Sequence, residues 1–343
     1  MTGEGVYVGR NCWTSPYTMN KGISITGNPG SGKTSRMNRI ELMEANNEKT
    51  VIVLDTNCTH ADEMIYAPIK KGYLERTNRI NVKTDGLNIE FLKPIQGKSG
   101  QNEDFVDVIN AAVWALGGTQ RMGNCQIGAL REALIFAMEH REEFADEMTA
   151  IKEGLLRQEN ATANGVYQRL WTVINSKVFR TNEKYIQPGM INLISLVGID
   201  KITQSILVEI LLSALWRTAK YQGDFYGGER VLSVDEFQNL PLREGSMLRD
   251  ILREGRKFGI SLLLATQTLK VFPKETVALL DQMGTKLYFR PAMSEVRSIA
   301  KEIAPDDIER WVKILSQLRC GEAVAVGSFM VGVAEVNHPI LTR

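Results

Sequence analysis

A glycine-rich segment near the N-terminus has the residue types and spacing with the most specific chemistry in this sequence. Residues 27–34 read GNPGSGKT, which matches the pattern GxxxxGK[ST]. The glycines let successive backbone N–H groups point inward at phosphate oxygens, and the helix that follows adds the positive end of its dipole. We expect Lys33 to reach the β- and γ-phosphates of ATP and the Thr34 hydroxyl to bind Mg²⁺. The predicted nucleotide contacts are Gly27, Asn28, Pro29, Gly30, Ser31, Gly32, Lys33, Thr34 and Ser35.

A pair of adjacent carboxylates supplies the second half of the predicted site. The run Val231–Glu236 (VLSVDE) reads as an apolar strand that ends in Asp235 and Glu236. We expect Asp235 to hold the magnesium ion and Glu236 to orient and polarise the attacking water. An Asp-Glu pair favours an ATPase over a metabolic kinase, which would activate a substrate hydroxyl instead. The alternative is a strand end with two solvated acids.

Three further features are open to two interpretations from the residues alone. Gln267 follows the apolar run ISLLLAT, where it could contact the γ-phosphate or merely cap a strand. Arg253 and Arg256 belong to a cationic stretch before that run, and such arginines either neutralise transition-state charge or lie on a solvated helix end. Asp55 ends an earlier apolar run and is either a member of the site or a turn-former.

The elements that must position these residues follow from hydrophobic periodicity. Ile23–Thr26 predicts a strand, Lys33–Ala45 a helix, and Thr50–Leu54 a strand buried on both faces. A strand, a helix and a second buried strand in this order make a βαβ unit with a parallel sheet. The sequence therefore predicts an α/β fold, and it places the glycine-rich loop between the first strand and the first helix.

The middle of the chain differs from both ends, because it has helical patterns and no convincing strand. We predict an N-terminal half of the core over residues 1–96, an all-helical insertion over 97–188, and a C-terminal half of the core over 189–343. Trp114, Trp171 and Trp216 lie on apolar helix faces, so we expect them in the core. Strands are predicted at Ile191–Val197, Val231–Val234, Ile260–Ala265, Lys286–Phe289, Ala323–Val326 and Phe329–Val336, and helices at Thr203–Ala219 and Gly245–Phe258 and from Ser294 and Pro305.

Composition excludes several classes of protein. No stretch approaches the roughly 18 apolar residues of a membrane span, and no secretory signal is evident. The four cysteines form no CxxC pair, which argues against zinc and disulfides and favours a cytoplasmic location. The net charge is +1 over 343 residues, so any surface for nucleic acid must be local.

Taken together, these motifs resemble the HerA/FtsK superfamily of P-loop ATPases, and most of all its HerA-like and conjugation (TraG-like, type IV secretion) branches. The resemblance covers residues 22–56 and 189–336, and its most specific part is the run from VLSVDEFQNLP to LREGRKFGISLLLATQ. It implies a RecA-like P-loop NTPase core with an inserted all-α subdomain. It also implies that Lys33 and Thr34 contact ATP, that Asp235 and Glu236 are the magnesium and catalytic carboxylates, and that Gln267 is a sensor.

The resemblance also implies a partner set. It implies a hexameric ring, around DNA or at a secretion channel, that drives translocation by ATP hydrolysis. Arg256, with Arg253 as its rival, would be the arginine finger within or between subunits. Lys270 and Lys274 are candidates for DNA contacts. The leading hypothesis is a DNA-translocating motor. The alternatives are a type IV secretion or conjugation ATPase that energises transfer or assembly without binding DNA, and a nucleotide-gated switch or scaffold. A secretion or nuclease protein would be a further partner.

Overall fold

A nine-stranded sheet runs through the centre of the molecule. The computed structural model describes residues 5–9, 11–98, 100–179, 184–222 and 229–343. The strands are β1 (Tyr7–Gly9), β2 (Cys12–Thr14), β3 (Ile23–Thr26), β4 (Thr50–Asp55), β5 (Thr77–Asn81), β6 (Ile191–Ser195), β7 (Arg230–Val234), β8 (Ile260–Thr266), β9 (Thr285–Phe289), β10 (Ala323–Gly327), β11 (Phe329–Val331), β12 (Ala334–Val336) and β13 (Ile340–Thr342). The helices are α1 (Lys33–Asn46), α2 (Lys70–Glu75), α3 (Phe105–Val113), α4 (Asn124–Glu139), α5 (Glu147–Leu156), α6 (Ala161–Asn175), α7 (Lys201–Gln222), α8 (Met247–Glu254), α9 (Lys274–Asp281), α10 (Met293–Ile303) and α11 (Ile308–Gln317).

The order of the central sheet is β13-β10-β9-β3-β8-β7-β4-β6-β5. The seven strands from β9 to β5 are parallel, whereas β10 pairs antiparallel with both β9 and β13. The mostly parallel α/β fold predicted from the sequence is confirmed. Because parallel strands share their direction, the carboxyl ends of β3, β4, β7, β8 and β9 all meet at one edge of the sheet, which is the edge where such folds bind ligands.

Side chains of the central strands alternate between two apolar layers, as the two-residue period of a strand requires. On β4, Val51 and Val53 pack with Met37 of α1, whereas Ile52 and Leu54 pack with the layer that contains α7. Both layers exclude water, so the central strands read as continuous apolar runs. A third, smaller cluster packs α10 and α11 against the antiparallel end of the sheet.

The helices α3 to α6 form the all-helical region expected in the middle of the chain, and they pack in the same apolar layer as α7. The limits 97–188 of an inserted domain stay a prediction, and residues 180–183 near its end lie outside the described residues. Among the described helices, none is both long enough and apolar enough to cross a bilayer.

The prediction that three tryptophans lie in the core is wrong for two of them. Trp216 is buried on α7, but Trp114 and Trp171 are 42% and 51% exposed. Trp114 begins a π-helical turn (residues 114–118) after α3, where the helical register shifts and turns the ring off the apolar face. Trp171 is adjacent on α6 to the buried Leu170, and successive helical residues point about 100° apart.

Two predicted elements differ from those observed. The single strand predicted at Phe329–Val336 is a hairpin, because β11 and β12 pair antiparallel across a turn in which Gly332 has φ +64°. With β1 and β2 this hairpin builds a separate four-stranded sheet, which the sequence analysis did not predict. The helix predicted at Gly245–Phe258 is α only over Met247–Glu254 and then tightens to a 3₁₀ turn. The elements β5, β13 and α2 were also missed.

Candidate functional site

The glycine-rich loop joins β3 to α1 at the carboxyl edge of the sheet. Two of its glycines are required by close approaches of the backbone. A Cβ at Gly27 would lie 2.6 Å from the Cβ of Phe289 on β9, and Gly32 has φ +102° with the backbone nitrogen of Gly321 2.9 Å from where its Cβ would be. Glycine adopts these conformations without a steric clash, so the loop fits between β9 and the segment before β10 and curls as the sequence predicts.

The side chain of Lys33 lies inside this loop. Its Nζ donates hydrogen bonds to the carbonyl oxygens of Gly27 at 2.8 Å and Asn28 at 3.2 Å. Burial lowers the pKa of Lys33, and the nearby carboxylates of Glu236 and Asp235 oppose that shift. A buried ammonium beside the backbone N–H groups of the loop is placed to contact an anion.

The tertiary structure brings Thr34 and Asp235 into contact, although they are about 200 positions apart. The Thr34 hydroxyl donates to Asp235 Oδ2 at 2.9 Å. Asp235 is only 5% exposed, and burial raises its pKa, opposed by the hydrogen bond from Thr34. A hydroxyl and a carboxylate supply the hard oxygen ligands that Mg²⁺ prefers, so this donor set fits the predicted ion.

Glu236 occupies a strained turn directly after β7. Its φ of 54° lies in the left-handed region, and its backbone N–H donates to its neighbour Asp235 Oδ1 at 2.9 Å. Non-glycine residues in this conformation cost of order 1 kcal/mol and cluster at functional sites. The turn aims the Glu236 side chain away from the path of the strand and toward Gln238.

Gln238 is a member of this site that the sequence analysis missed. Its amide nitrogen donates to Glu236 Oε2, and its amide oxygen accepts a hydrogen bond of 2.8 Å from the Thr266 hydroxyl at the end of β8. The signal was the segment EFQN, in which Gln238 lies two residues after Glu236. Gln267 lies next to Thr266 and is half-buried at the same edge, and its side chain forms no hydrogen bond within the described ranges.

A buried polar network underlies the two carboxylates. Glu41 of α1 is fully buried and accepts hydrogen bonds from the Ser233 hydroxyl at 2.5 Å and the Tyr73 hydroxyl at 2.6 Å, and it pairs with His60 Nε2 at 3.2 Å. Ser233 lies two residues before Asp235 on β7. The network therefore ties the helix that follows the glycine-rich loop to the strand that carries the carboxylates.

Asp55 is a turn-former. Its Oδ1 accepts hydrogen bonds from the backbone N–H groups of Asn57 at 3.3 Å and Thr59 at 3.0 Å. These bonds fold the segment after β4 and bring His60 next to Glu41. Of the two interpretations left open by the sequence, the structure supports the local one, because the carboxylate is engaged by its own loop.

The two candidate finger arginines lie at the opposite edge of the sheet. Arg253 and Arg256 precede β8 and line a cleft with Gly22 and Met283, which precede β3 and β9. Strand β8 has seven residues, so about 20 Å of sheet separates these arginines from the glycine-rich loop. Neither can reach the site of its own chain.

A cationic cleft of about 280 Å³ continues from the glycine-rich loop, and the sequence analysis did not predict it. It is lined by Ser35 and Arg36 of α1, by Tyr66, and by Arg319 and Arg343 from the end of the chain. Arg36 is buried, which lowers its pKa to about 10. The lining residues come from three distant parts of the sequence, so no local pattern could have assembled them.

Comparisons with known proteins agree with this architecture. No protein-family model matches the chain. A probable helicase of Methanocaldococcus jannaschii is 37% identical over 92 residues, a stretch that covers 26% of this chain and only 17% of that protein. VirB4 of Thermoanaerobacter pseudethanolicus superposes with a TM-score of 0.70 at 17% identity, over 98% of this chain and 96% of that chain.

The bacterial conjugative coupling protein TrwB also has a similar fold at low sequence identity. An unbound form superposes with a TM-score of 0.66 at 14% identity, over 100% of this chain and 88% of that chain. A form in complex with ADP and Mg²⁺ superposes with a TM-score of 0.63, over 96% and 86% of the two chains. The RecA-like fold, and the expected resemblance to the conjugation and secretion branch at the level of the fold, are thereby confirmed.

Proposed function

We propose that this chain is an ATP-hydrolysing motor of the HerA/FtsK type. The observation that carries the proposal is the contact between Thr34 and Asp235 beside the buried Lys33. Phosphoryl transfer to water needs positioning and charge stabilisation more than covalent chemistry, and these three groups supply both. The coupling protein TrwB has been solved with ADP and Mg²⁺ on the same fold, which supports ATP and Mg²⁺ as the ligands.

Each residue then has a defined task. Lys33 and the backbone N–H groups of residues 30 and 32–35 hold the phosphates, because those of Gly27 and Asn28 already donate to carbonyl oxygens of Thr266 and Arg290. Thr34 and Asp235 hold Mg²⁺, which would neutralise phosphate charge when bound. Glu236 orients the attacking water. Gln238, which is itself held by the Thr266 hydroxyl, fixes the Glu236 side chain. Gln267 senses the γ-phosphate from the end of β8.

The position of Arg256 implies action between subunits. Because about 20 Å of sheet separates it from its own glycine-rich loop, an arginine finger at this edge can serve only the nucleotide of a neighbouring subunit. A head-to-tail ring brings the two opposite edges of adjacent copies together. We therefore propose a homo-hexamer with Arg256 as the finger in trans and Arg253 as its rival.

The proposed cargo is DNA, moved in the cytoplasm. The likeness to a conjugative coupling protein and the short match to a probable helicase support it. A specific observation favours a second candidate, because VirB4 superposes over 98% of the chain. That candidate is an ATPase that energises type IV secretion or conjugation without binding DNA itself.

Steady-state ATP turnover with and without single- and double-stranded DNA tests the proposal. We expect turnover that DNA stimulates, and a loss of at least ~10² in Glu236→Gln with ATP binding retained. The matched control is Glu244→Gln, an exposed acid on the same segment, which should behave as wild type. Normal turnover in Glu236→Gln contradicts the catalytic assignment. Turnover that no DNA changes favours the secretion ATPase.

A further inference from the structure

A cleft of about 550 Å³ opens between the helical region and the segment that leads from β7 to α8. We call it the arginine cleft and define it by Trp114, Arg121, Met122, Arg131 and Arg243, which all line it. None of its lining residues belongs to the glycine-rich loop or is one of the two carboxylates that follow β7. None of the motifs in the sequence pointed to it.

The cleft concentrates positive charge in a protein whose net charge is only +1. None of its lining residues is an aspartate or glutamate, and across the described ranges Arg121 and Arg131 form no ion pair with a carboxylate. Arg243 forms none either, but the buried carboxylate of Glu209 lies close enough to attract it. Arg243 donates to the carbonyl oxygen of Gly118. Arg169 of α6 adds a fourth guanidinium beside the cleft, since it donates to the carbonyl oxygen of Gln120 at 3.0 Å. Guanidinium groups without an acid partner attract phosphate.

An aromatic ring lies among these cations. Trp114 is 42% exposed, and its indole is held against two glycines. A Cβ at Gly118 or at Gly245 would lie 2.4 Å from the ring, so close approach of the backbone fixes its orientation. An exposed, immobilised indole offers a face on which an unpaired base can stack.

We propose that the arginine cleft binds single-stranded nucleic acid, with the guanidinium groups on phosphates and a base stacked on Trp114. Stacking needs an unpaired base, so the aromatic ring favours a single strand over a duplex. The inference rests on the proposed function and deepens it, because it names the form of nucleic acid and its contact residues.

The segment that carries Arg243 also leads back to the site. Arg243 lies seven residues after Glu236, and between them Phe237 is buried and stacks on Phe272 with ring centroids 4.8 Å apart. At the far end of the segment, the backbone N–H of Met247 donates to the buried Glu209 at 3.2 Å. A nucleic-acid strand that binds Arg243 therefore contacts a short protein segment that is anchored at both ends. One of those ends is the turn of Glu236.

Fluorescence anisotropy with a labelled oligothymidylate and the full chain tests the cleft. We compare wild type with Arg121→Asn/Arg131→Ala, choosing Asn because residue 121 has φ 51°, which Asn tolerates. We expect affinity to fall at least ~10-fold and the slope of log K against log salt to decrease by about 1 to 2. Trp114→Leu should cost on the order of tenfold without changing that slope. The matched control is Arg157→Ala/Arg310→Ala, whose arginines are paired with Glu153 and Asp307 and lie outside the cleft, and it should bind as wild type.

Crosslinking of a bromodeoxyuridine-substituted strand to wild-type protein is the second measurement, and it needs no variant to fold. Crosslinks on the peptide with Trp114 support the proposal, and crosslinks confined to other peptides overturn it. Equal binding by wild type and the cleft variant also overturns it. A third refuting outcome is that polyglutamate competes as well as unlabelled oligothymidylate and Trp114→Leu has no effect, which would indicate an acidic protein ligand. The ATPase assignment is judged separately by Glu236→Gln turnover without DNA, so the two can fail independently.

Discussion

Loss of the charge on the buried carboxylate of Glu41 should weaken the fold. It accepts from Ser233 at 2.5 Å and Tyr73 at 2.6 Å and pairs with His60 at 3.2 Å, and all its surroundings exclude water. In Glu41→Gln the single carbonyl oxygen can accept from two of these three donors, while the new amide N–H group faces the third. The variant therefore loses a buried ion pair and leaves one buried donor without an acceptor.

The magnitude follows from those contacts. Removing one partner of a buried ion pair costs about 3–5 kcal/mol, and one unsatisfied buried donor costs about 1–3 kcal/mol. Because Gln retains two of the hydrogen bonds, we expect the free energy of unfolding to fall by about 3 kcal/mol. Glu75→Gln is the matched control, since Glu75 is 64% exposed and pairs with Lys71 only at 4.0 Å. It should change stability by less than about 0.5 kcal/mol.

The pH dependence of stability gives an independent signature. Burial raises the pKa of Glu41 and lowers that of His60, but their ion pair outweighs burial, so the pKa of Glu41 ends below its ordinary value of 4.5 and that of His60 above 6.5. The contribution of Glu41 is present above its unfolded pKa and is lost as pH falls through its folded pKa. The contribution of His60 is present below its unfolded pKa and is lost as pH rises through its folded pKa. The pair thus stabilises most between those ordinary values.

Urea denaturation across this pH range is the assay. The difference in unfolding free energy between wild type and Glu41→Gln should be largest between pH 4.5 and 6.5 and should shrink on either side, with the slope m unchanged. A variant within about 1 kcal/mol of wild type at pH 6 would refute the reasoning. So would an unchanged pH profile, because the profile is assigned to this pair.

Three further predictions follow from single contacts. Gly27→Ala places a Cβ 2.6 Å from that of Phe289, so it should lower stability by about 1–3 kcal/mol and weaken ATP binding, measured by calorimetry; full ATP affinity would contradict the close approach. Burial raises the pKa of Glu209 from 4.5 to about 7, so the unfolding free energy of wild type should fall by up to about 3 kcal/mol as pH rises through that interval. Urea titrations of Glu209→Gln should not show this fall. A mixture of the Arg256→Ala and Lys33→Ala variants should regain ATP turnover that neither variant has alone. In a random ring about a quarter of the interfaces pair an intact Lys33 with an intact Arg256 of the neighbour, and no regain of turnover would exclude a finger in trans.

Local patterns were sufficient for the parts of the site that lie within one strand–loop–helix unit. The loop GNPGSGKT, the buried run ending at Asp55 and the run ending in Asp235 and Glu236 each reveal themselves by residue type and period. Parallel strands place their carboxyl ends together, so the proximity of Thr34 to Asp235 was also implied once the sheet was predicted. Trp114 and Trp171 were misplaced because a π-helical turn in one case and a neighbouring buried leucine in the other changed which face pointed inward.

The sequence by itself determined that the chain forms a mostly parallel α/β fold with a glycine-rich loop facing two carboxylates, because periodicity and turn chemistry are local and were sufficient for these elements. Only the tertiary structure decided the rest. It put Arg256 at the opposite edge from the loop, joined Glu41 to Ser233 and Gln238 to Thr266, and gathered the arginine cleft from separate segments. Those contacts join residues far apart in the chain, and their partners are chosen by how the layers pack.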